Sequence, residues 1–258
     1  MTPSEPKEGK IDLFAAIDGL LKIEEERLLR VNSLGEMMIA TLSNHISVHK
    51  GEKVAGTRVI PLVIEQEKMD RAKEAAGKGP LMKILPYQRK KIGIVSTGSE
   101  VARGLIEDAF SPVLRSKLSE YETEILEVVY PGDDQEAIKE AILRFLDQGC
   151  DMVLCTGGMS VDPDDRTPGA IKAAGAQIVT YGAPVLPGAM FLLSYIDGKP
   201  VCGLPGCVMY AKRTIFDLML PRLMADDRII REEIAGLGVG GLCRLCDTCT
   251  YPNCGFGK

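Results

Sequence analysis

The stretch Met152-Val153-Leu154-Cys155-Thr156-Gly157-Gly158-Met159-Ser160-Val161-Asp162-Pro163-Asp164-Asp165-Arg166 opens apolar and breaks into glycines and carboxylates. A continuous apolar run, rather than an alternating one, marks a strand buried on both faces of a parallel sheet. Just beyond it, Thr167–Ala174 reads as a short helix, with Thr167 as N-cap and Pro168 at the first helical position. Before it, Asp133–Gln148 reads as a longer helix, because Ala137, Ile138, Ala141, Ile142, Phe145 and Leu146 recur on one face. The same rhythm extends outward. Ile92–Ser96, Glu124–Val129 and Gln177–Thr180 read as strands, and Ser111–Tyr121 as a helix. Met190–Ile196 and Pro200–Leu204 form a strand pair joined by Asp197-Gly198-Lys199, and Cys207–Met224 reads as one long apolar-faced helix. Strands alternating with helices predict an α/β fold: a doubly wound, mainly parallel sheet covered on both faces.

This pattern begins at Lys91. The first ninety residues have another texture, with strands and turns over Leu20–Ile23 and Lys53–Ile64 and helices at Glu24–Ser33 and Glu65–Ala76. The chain is therefore divided into a small mixed β/α module (1–90), an α/β domain (91–225) and a helical extension with a Cys-rich tail (226–258). Its 258 residues are enough for two cores of this size. A formal charge of −5, no Trp, and only six Phe and seven Tyr argue against a nucleic-acid partner, which would want a basic surface and stacking rings. No apolar run approaches the ~18 residues of a membrane span. Met1 to Lys10 is too polar for a signal peptide. The expectation is a soluble cytoplasmic protein with no membrane partner.

In open α/β sheets, ligands bind outside the carboxyl ends of the strands, where the strand order reverses. Every predicted strand end here is polar or glycine-rich: Thr97-Gly98-Ser99-Glu100, Pro131-Gly132-Asp133-Asp134 and Thr156 onward. Gly157 and Gly158 let the backbone turn sharply and aim N–H groups at an anion. Asp162, Asp164 and Asp165 followed by Arg166 suit a ligand carrying both amino groups and phosphate. A carboxylate accepts paired N–H bonds from a heterocycle, and a guanidinium grips phosphate through two bonds. Two of these carboxylates would equally hold Mg²⁺ through waters, and the plainer alternative is a solvated acidic loop. Asp133-Asp134 reads first as a helix cap, with a place in the cleft as the second option. His45 and His49 read as surface polar residues rather than a metal pair.

The motifs Thr97-Gly98-Ser99-Glu100, Gly104-Leu105-Ile106-Glu107-Asp108, Thr156-Gly157-Gly158 through Asp165, and Leu204-Pro205-Gly206 resemble, in order, the molybdopterin-binding domain of the gephyrin, MoeA and MogA group. The resemblance covers about Lys91 to Met224. It implies a molybdopterin-binding protein in molybdenum-cofactor biosynthesis or handling, with molybdate insertion or pterin nucleotidyl transfer as the reaction if it is an enzyme. A non-catalytic carrier or sensor and a nucleotide hydrolase built on the same domain are the alternatives. It implies Asp165 and Glu100 as catalytic or pterin-orienting residues. The binding set it implies is Thr97, Gly98, Ser99, Asp108, Thr156, Gly157, Gly158, Ser160, Asp162, Arg166, Pro205 and Gly206. Ser99 stands where the insertion enzymes have Asp, and Ala109-Phe110 where they have Ser-Asn, so the ligand class carries over better than the reaction. Domains of this family self-associate, which makes a homodimer the expected assembly. The stretch Val54–Pro61 and the terminal cysteines resemble a narrower branch from anaerobic prokaryotes, whose further N-terminal segment would make this chain a truncated form.

The eight cysteines fall into two sets. Cys150, Cys155, Cys202 and Cys207 sit singly beside apolar residues and read as small buried hydrophobes. Cys243, Cys246, Cys249 and Cys254 form C-x2-C-x2-C-x4-C between glycines, which points to metal rather than disulfides in a reducing compartment. The first three spacings are similar to a bacterial ferredoxin run, the fourth departs from it, and four thiolates also suit structural zinc. An unliganded tail is the third option, and resemblance to proteins of anaerobes favours iron–sulfur. Gly236–Gly241 reads as a hinge that separates this tail from the core.

Overall fold

The computed structural model describes residues 1–159 and 165–258. These form two compact units, Met1–Tyr87 and Gln88–Lys258. The first unit carries β1 (Thr2–Pro3), β2 (Lys10–Phe14), β3 (Gly19–Ile23), α1 (Glu25–Asn32), β4 (Met37–Thr41), β5 (Ser47–Val48), β6 (Lys53–Val59), α2 (Gln66–Ala76) and β7 (Met82–Leu85). Two antiparallel sheets result, in the orders β1-β2-β6-β4 and β5-β3-β7. Their shared core is small: Leu21, Ile23, Val48, Val54, Ala55 and Met82. Of the strand and turn expected over Lys53–Ile64, the strand part runs Lys53–Val59. Pro61, which has no N–H to give a ladder, comes two residues later.

The second unit carries β8 (Lys90–Ser96), α3 (Ser99–Ala102), α4 (Phe110–Leu118), β9 (Thr123–Val129), α5 (Gln135–Asp147), β10 (Met152–Thr156), α6 (Thr167–Ala173), β11 (Gln177–Tyr181), β12 (Leu192–Ile196), β13 (Lys199–Leu204), α7 (Ile215–Met224) and α8 (Arg231–Gly236). Its sheet runs β11-β12-β13-β10-β8-β9. β13, β10, β8 and β9 are mutually parallel, and β12 is antiparallel to both its neighbours. The β12–β13 hairpin turns through Asp197 and Gly198, both at positive φ, as a tight primed turn needs. The fold is α/β with a mixed, mostly parallel sheet. β8 leads to β9 on one side, and the chain then crosses to β10 on the other. The reversal of strand order therefore lies between β8 and β10.

On one face Val95, Val153 and Val201 pack with Ile138, Phe145 and Ile171 from α5 and α6. The alternate residues Ile92, Ile94, Met152, Leu154 and Cys202 point to the opposite face and are buried too. One contact fixes how close α5 lies. A Cβ at Gly93 would stand 2.3 Å from Cγ of Phe145, so the ring seats directly on bare backbone.

Three expected details are corrected. Arg166 rather than Thr167 is the N-cap of α6, because the Thr167 hydroxyl donates instead to Gly157 O. Cys207–Met224 is not one helix: Gly206–Met209 is a 3-10 turn, and α7 starts afresh at Ile215. The restart has a cause in Thr214, whose hydroxyl caps Phe216 N while Asp217 Oδ2 accepts from Thr214 N at 2.7 Å. The third correction concerns the hinge. Gly240 and Gly241 are packed rather than loose: a Cβ would meet Lys258 O at 2.2 Å and Leu237 O at 2.4 Å. Beyond them the tail lies on the core. Phe256 is buried, Tyr251 OH donates to Asp217 O, and Gly257 abuts Leu218.

Gly93→Ala should overpack the α5 contact and destabilise by ~1–3 kcal/mol, lowering the thermal midpoint by several degrees. Thermal denaturation followed by circular dichroism checks this, and an unchanged midpoint would mean that Phe145 can move aside.

Candidate functional site

Register aligns the strand ends. Ser96 pairs with Thr156, and Thr156 with Leu204, so Thr97, Gly157 and Pro205 come next on three adjacent strands. Val95 pairs with Val129, which brings the 130–134 loop to the same edge. Thr97 binds across the reversal point with both its polar groups: its N–H and its hydroxyl donate to Thr156 O at 2.8 and 2.9 Å. The hydroxyls of Thr97 and Thr167 lie 3.3 Å apart. Each already donates to a carbonyl, so no proton is left to share between them.

The two glycines are demanded by this closeness. Gly157 has φ 80°, and a Cβ there would stand 2.7 Å from Thr97 O; Gly158 has φ 53°, and its Cβ would stand 2.9 Å from Thr167 Oγ1. Side chains would force the loop outward, away from the strand end. Two buried oxygens in this region, Thr156 Oγ1 and Asp165 Oδ2, have no hydrogen-bond partner among the described residues. Orphaned polar atoms are costly unless a ligand or water completes them. Burial and the neighbouring Asp165 carboxylate push the Tyr181 phenol up, and its hydroxyl donates to Met159 O at 3.2 Å.

Gly98, at φ 121°, leads into α3. Ser99 donates from its N–H to Asp133 Oδ2 at 2.8 Å and from its hydroxyl to the same oxygen. The Asp133 carboxylate is thus held against Ser99, while Asp134 caps α5 through Ala137 N. Asp108 is gathered in as well. It accepts from Phe110 N, Ser111 N and the Ser111 hydroxyl, and from Tyr130 OH at 3.0 Å. Burial pushes this carboxyl up, but the bonds from Ser111, Tyr130 and Phe110 outweigh it and hold the group below its ordinary value. Tyr130 is raised in turn, first by burial and then by Asp108.

Of the residues expected from sequence, Thr97, Gly98, Ser99, Thr156, Gly157, Gly158, Pro205 and Gly206 lie along one edge, with Asp108 tied in through Tyr130. Arg166 is exposed at the start of α6 and Asp165 is half-buried. Glu100 is exposed on α3, with no bonded side-chain partner among the described residues. Ser160 and Asp162, and Asp164 of the three carboxylates considered for Mg²⁺, lie outside the described residues. Tyr130, Ser111 and Thr167 were not singled out as site residues by sequence reasoning. The one available signal was that Tyr130 stands between the end of its strand at Val129 and Pro131-Gly132. Among the described residues no three His, Cys, Asp or Glu side chains gather as a metal shell. The four tail cysteines instead line a separate cavity of about 880 Å³.

An open α/β domain whose strand-end loops converge on the reversal point, with glycine backbone and orphaned polar atoms there, is of the class that takes a polar ligand at that edge. Residues 93–225, a little over half of the chain, match the family described as "Probable molybdopterin binding domain", and the chain belongs to that family. It is 26% identical over 142 residues to a molybdopterin molybdenumtransferase of Haemophilus influenzae, covering 52% of this chain and 35% of that protein. It is 41% identical over 78 residues to a CinA-like protein of Mycobacterium avium, covering 30% and 18%. A solved MoaB, a molybdopterin biosynthesis enzyme of Thermus thermophilus, aligns at 20% identity and TM-score 0.43, over 52% of this chain and 91% of that one. The match thus spans about a third or less of the length of these two curated relatives.

Because the folded Asp108 carboxyl sits below its unfolded value of ~3.9, it contributes stability that is present above that pH and lost as pH falls through the folded value. Asp108→Asn should therefore lower the thermal midpoint at neutral pH and converge with wild type in acid. Paired melts across that range check it; a pH-independent difference would assign Asp108 a purely steric role.

Proposed function

We propose that this chain binds molybdopterin, or its nucleotide, at the carboxyl edge of β8, β10 and β13, and acts in cytoplasmic molybdenum-cofactor biosynthesis or handling. The observation that carries the reading is the buried, unpartnered Asp165 Oδ2, next to a glycine loop that Thr97 and Thr167 brace. A carboxylate there suits the paired N–H groups of a pterin. The N–H groups of Gly157 and Gly158, with the Arg166 guanidinium, suit its phosphate. Ser99 with Asp133, and Asp108 with Tyr130, would border the same ligand. Glu100, exposed and without a bonded partner, is the group we propose to move a proton if the ligand is modified, by molybdate insertion or nucleotidyl transfer. We take a homodimer as the working assembly; light scattering that returned the mass of one chain would remove it.

A second reading is nucleotide hydrolysis on the same domain. The short match to a CinA-like protein bears on it only in that this stretch also occurs in a protein not named for the molybdenum cofactor. Turnover of nucleotide without pterin separates the two readings, and pterin retention with no turnover favours a carrier. The tail thiols we take as a second site, for an iron–sulfur cluster or zinc.

Asp165→Asn replaces one acceptor by a donor. It should weaken pterin binding by the ~1.5–3 kcal/mol of a charged hydrogen bond, roughly 10–150-fold in affinity. Calorimetry or fluorescence titration measures this, and an unchanged affinity in the folded variant would reject the assignment.

A further inference from the structure

We propose that the outer face of β2, β6 and β4 in the first unit binds a small organic dianion, a phosphate monoester, through Lys10, Lys53 and Arg58. The site lies within that unit and is separate from the ligand proposed for the second. Register fixes which side chains share the face. Lys10 pairs with Arg58 and Asp12 with Gly56 across β2 and β6. Arg58 pairs in turn with Met38, and Gly56 with Ala40, across β6 and β4. Cross-strand partners, and residues two apart on one strand, point to the same side of a sheet. Two rows therefore run side by side across three strands. Lys10, Arg58 and Met38 make a tall row, while Gly56 and Ala40 beside Asp12 make a low one. The low row floors a hollow of about 470 Å³, a volume in the range of small-molecule sites.

A β-bulge supplies the third cation. Leu13 pairs with Ala55 but Phe14 with Lys53, so Val54 is an extra residue in β6. Val54 and Ala55 are consecutive, yet both are buried in the core of this unit. Strict alternation would turn Val54 outward and Lys53 inward; the bulge reverses both. Lys53 Nζ then lies 2.9 Å from Asp12 Oδ1, and Lys10 Nζ 3.2 Å from Oδ2. The Lys53 bond first, and the Lys10 bond after it, hold the Asp12 carboxyl below its ordinary value. A Cβ at Gly56 would stand 3.0 Å from Asp12 Oδ1, so the bare glycine keeps room for that carboxylate. Arg58 is left over. It faces Lys10 directly, a like-charge pair that weakens a sheet, and it bonds no carboxylate among the described residues. Three cations and one carboxylate leave this face at +2, in a chain of formal charge −5. A dianion would neutralise it, with the guanidinium taking two phosphate oxygens at once. Met38, exposed beside Arg58, offers an apolar wall to the organic part.

The test uses the full, isotope-labelled chain in phosphate-free buffer, titrated with phenyl phosphate and followed through its amide resonances. Saturable shifts should centre on residues 10–12, 38–40 and 53–58. Arg58→Gln should weaken binding about tenfold or more, the worth of a charged hydrogen bond. Without ligand the same variant should melt no lower than wild type, because Lys10 loses its like-charged neighbour. Phenyl phosphate should raise the wild-type midpoint and leave that of the variant in place. Arg58→Lys keeps the charge and loses the fork, so it should bind between the two. Unchanged affinity in folded Arg58→Gln would overturn the proposal, as would shifts confined to the carboxyl edge of β8 and β10 or none that saturate. Inorganic phosphate binding as tightly as phenyl phosphate would overturn the recognition of a monoester.

Discussion

Thr97 donates twice to Thr156 O, and this clasp decides where the loops of the second unit can go. It locks the ends of β8 and β10 together at the point where strand order reverses. The next residue, Gly157, must pass so close to Thr97 that only glycine fits. Thr167 closes the loop from the far side by donating to Gly157 O. Sequences that look like separate short motifs are thus halves of one contact. The tightness leaves backbone N–H groups without side chains to shield them, which is the property an anion needs.

The α/β order was legible because its strands are continuous apolar runs and its helices have a strong period; both signals are local. The strand-end residues were legible for the same reason, since each set comes directly after an apolar run. Contacts between distant positions were not. Gly93 has a plain place within its strand, and only the Phe145 ring, brought in by α5, explains it. Tyr130 and Ser111 acquire a role because Asp108 lies between them in space. The break before α7 was written in Thr214 and Asp217, but an apolar face running through Cys207–Met224 masked the capping box. Glycines at 240 and 241 looked like freedom and proved to be close packing.

Asp217 joins the tail to the α/β layers. Its carboxylate is buried and accepts from Lys117 of α4 at 2.6 Å and from Arg213 at 3.0 Å. Its backbone carbonyl takes Tyr251 OH. A buried charge with two cationic partners gains little over apolar packing but loses heavily if one partner is removed. One residue therefore starts α7, fixes α4 against it and seats the tail. Arg222 does similar work at the other end of α7, bonding Asp227 at 2.6 Å and Glu233 at 2.8 Å, so α8 is tethered through ions as well.

The cysteines at the centre of the parallel sheet differ in kind from those of the tail. Cys155 and Cys202 lie on the adjacent strands β10 and β13, fully buried. Burial pushes the Cys202 thiol up to about 12 and Cys155 beyond the ordinary thiol range. Neither presents a thiolate while the sheet is closed, so neither reacts with an electrophile from solvent. They form a natural clock for opening: pulses of a thiol reagent would mark these positions only in molecules whose sheet has parted, and the rate of marking would time that event.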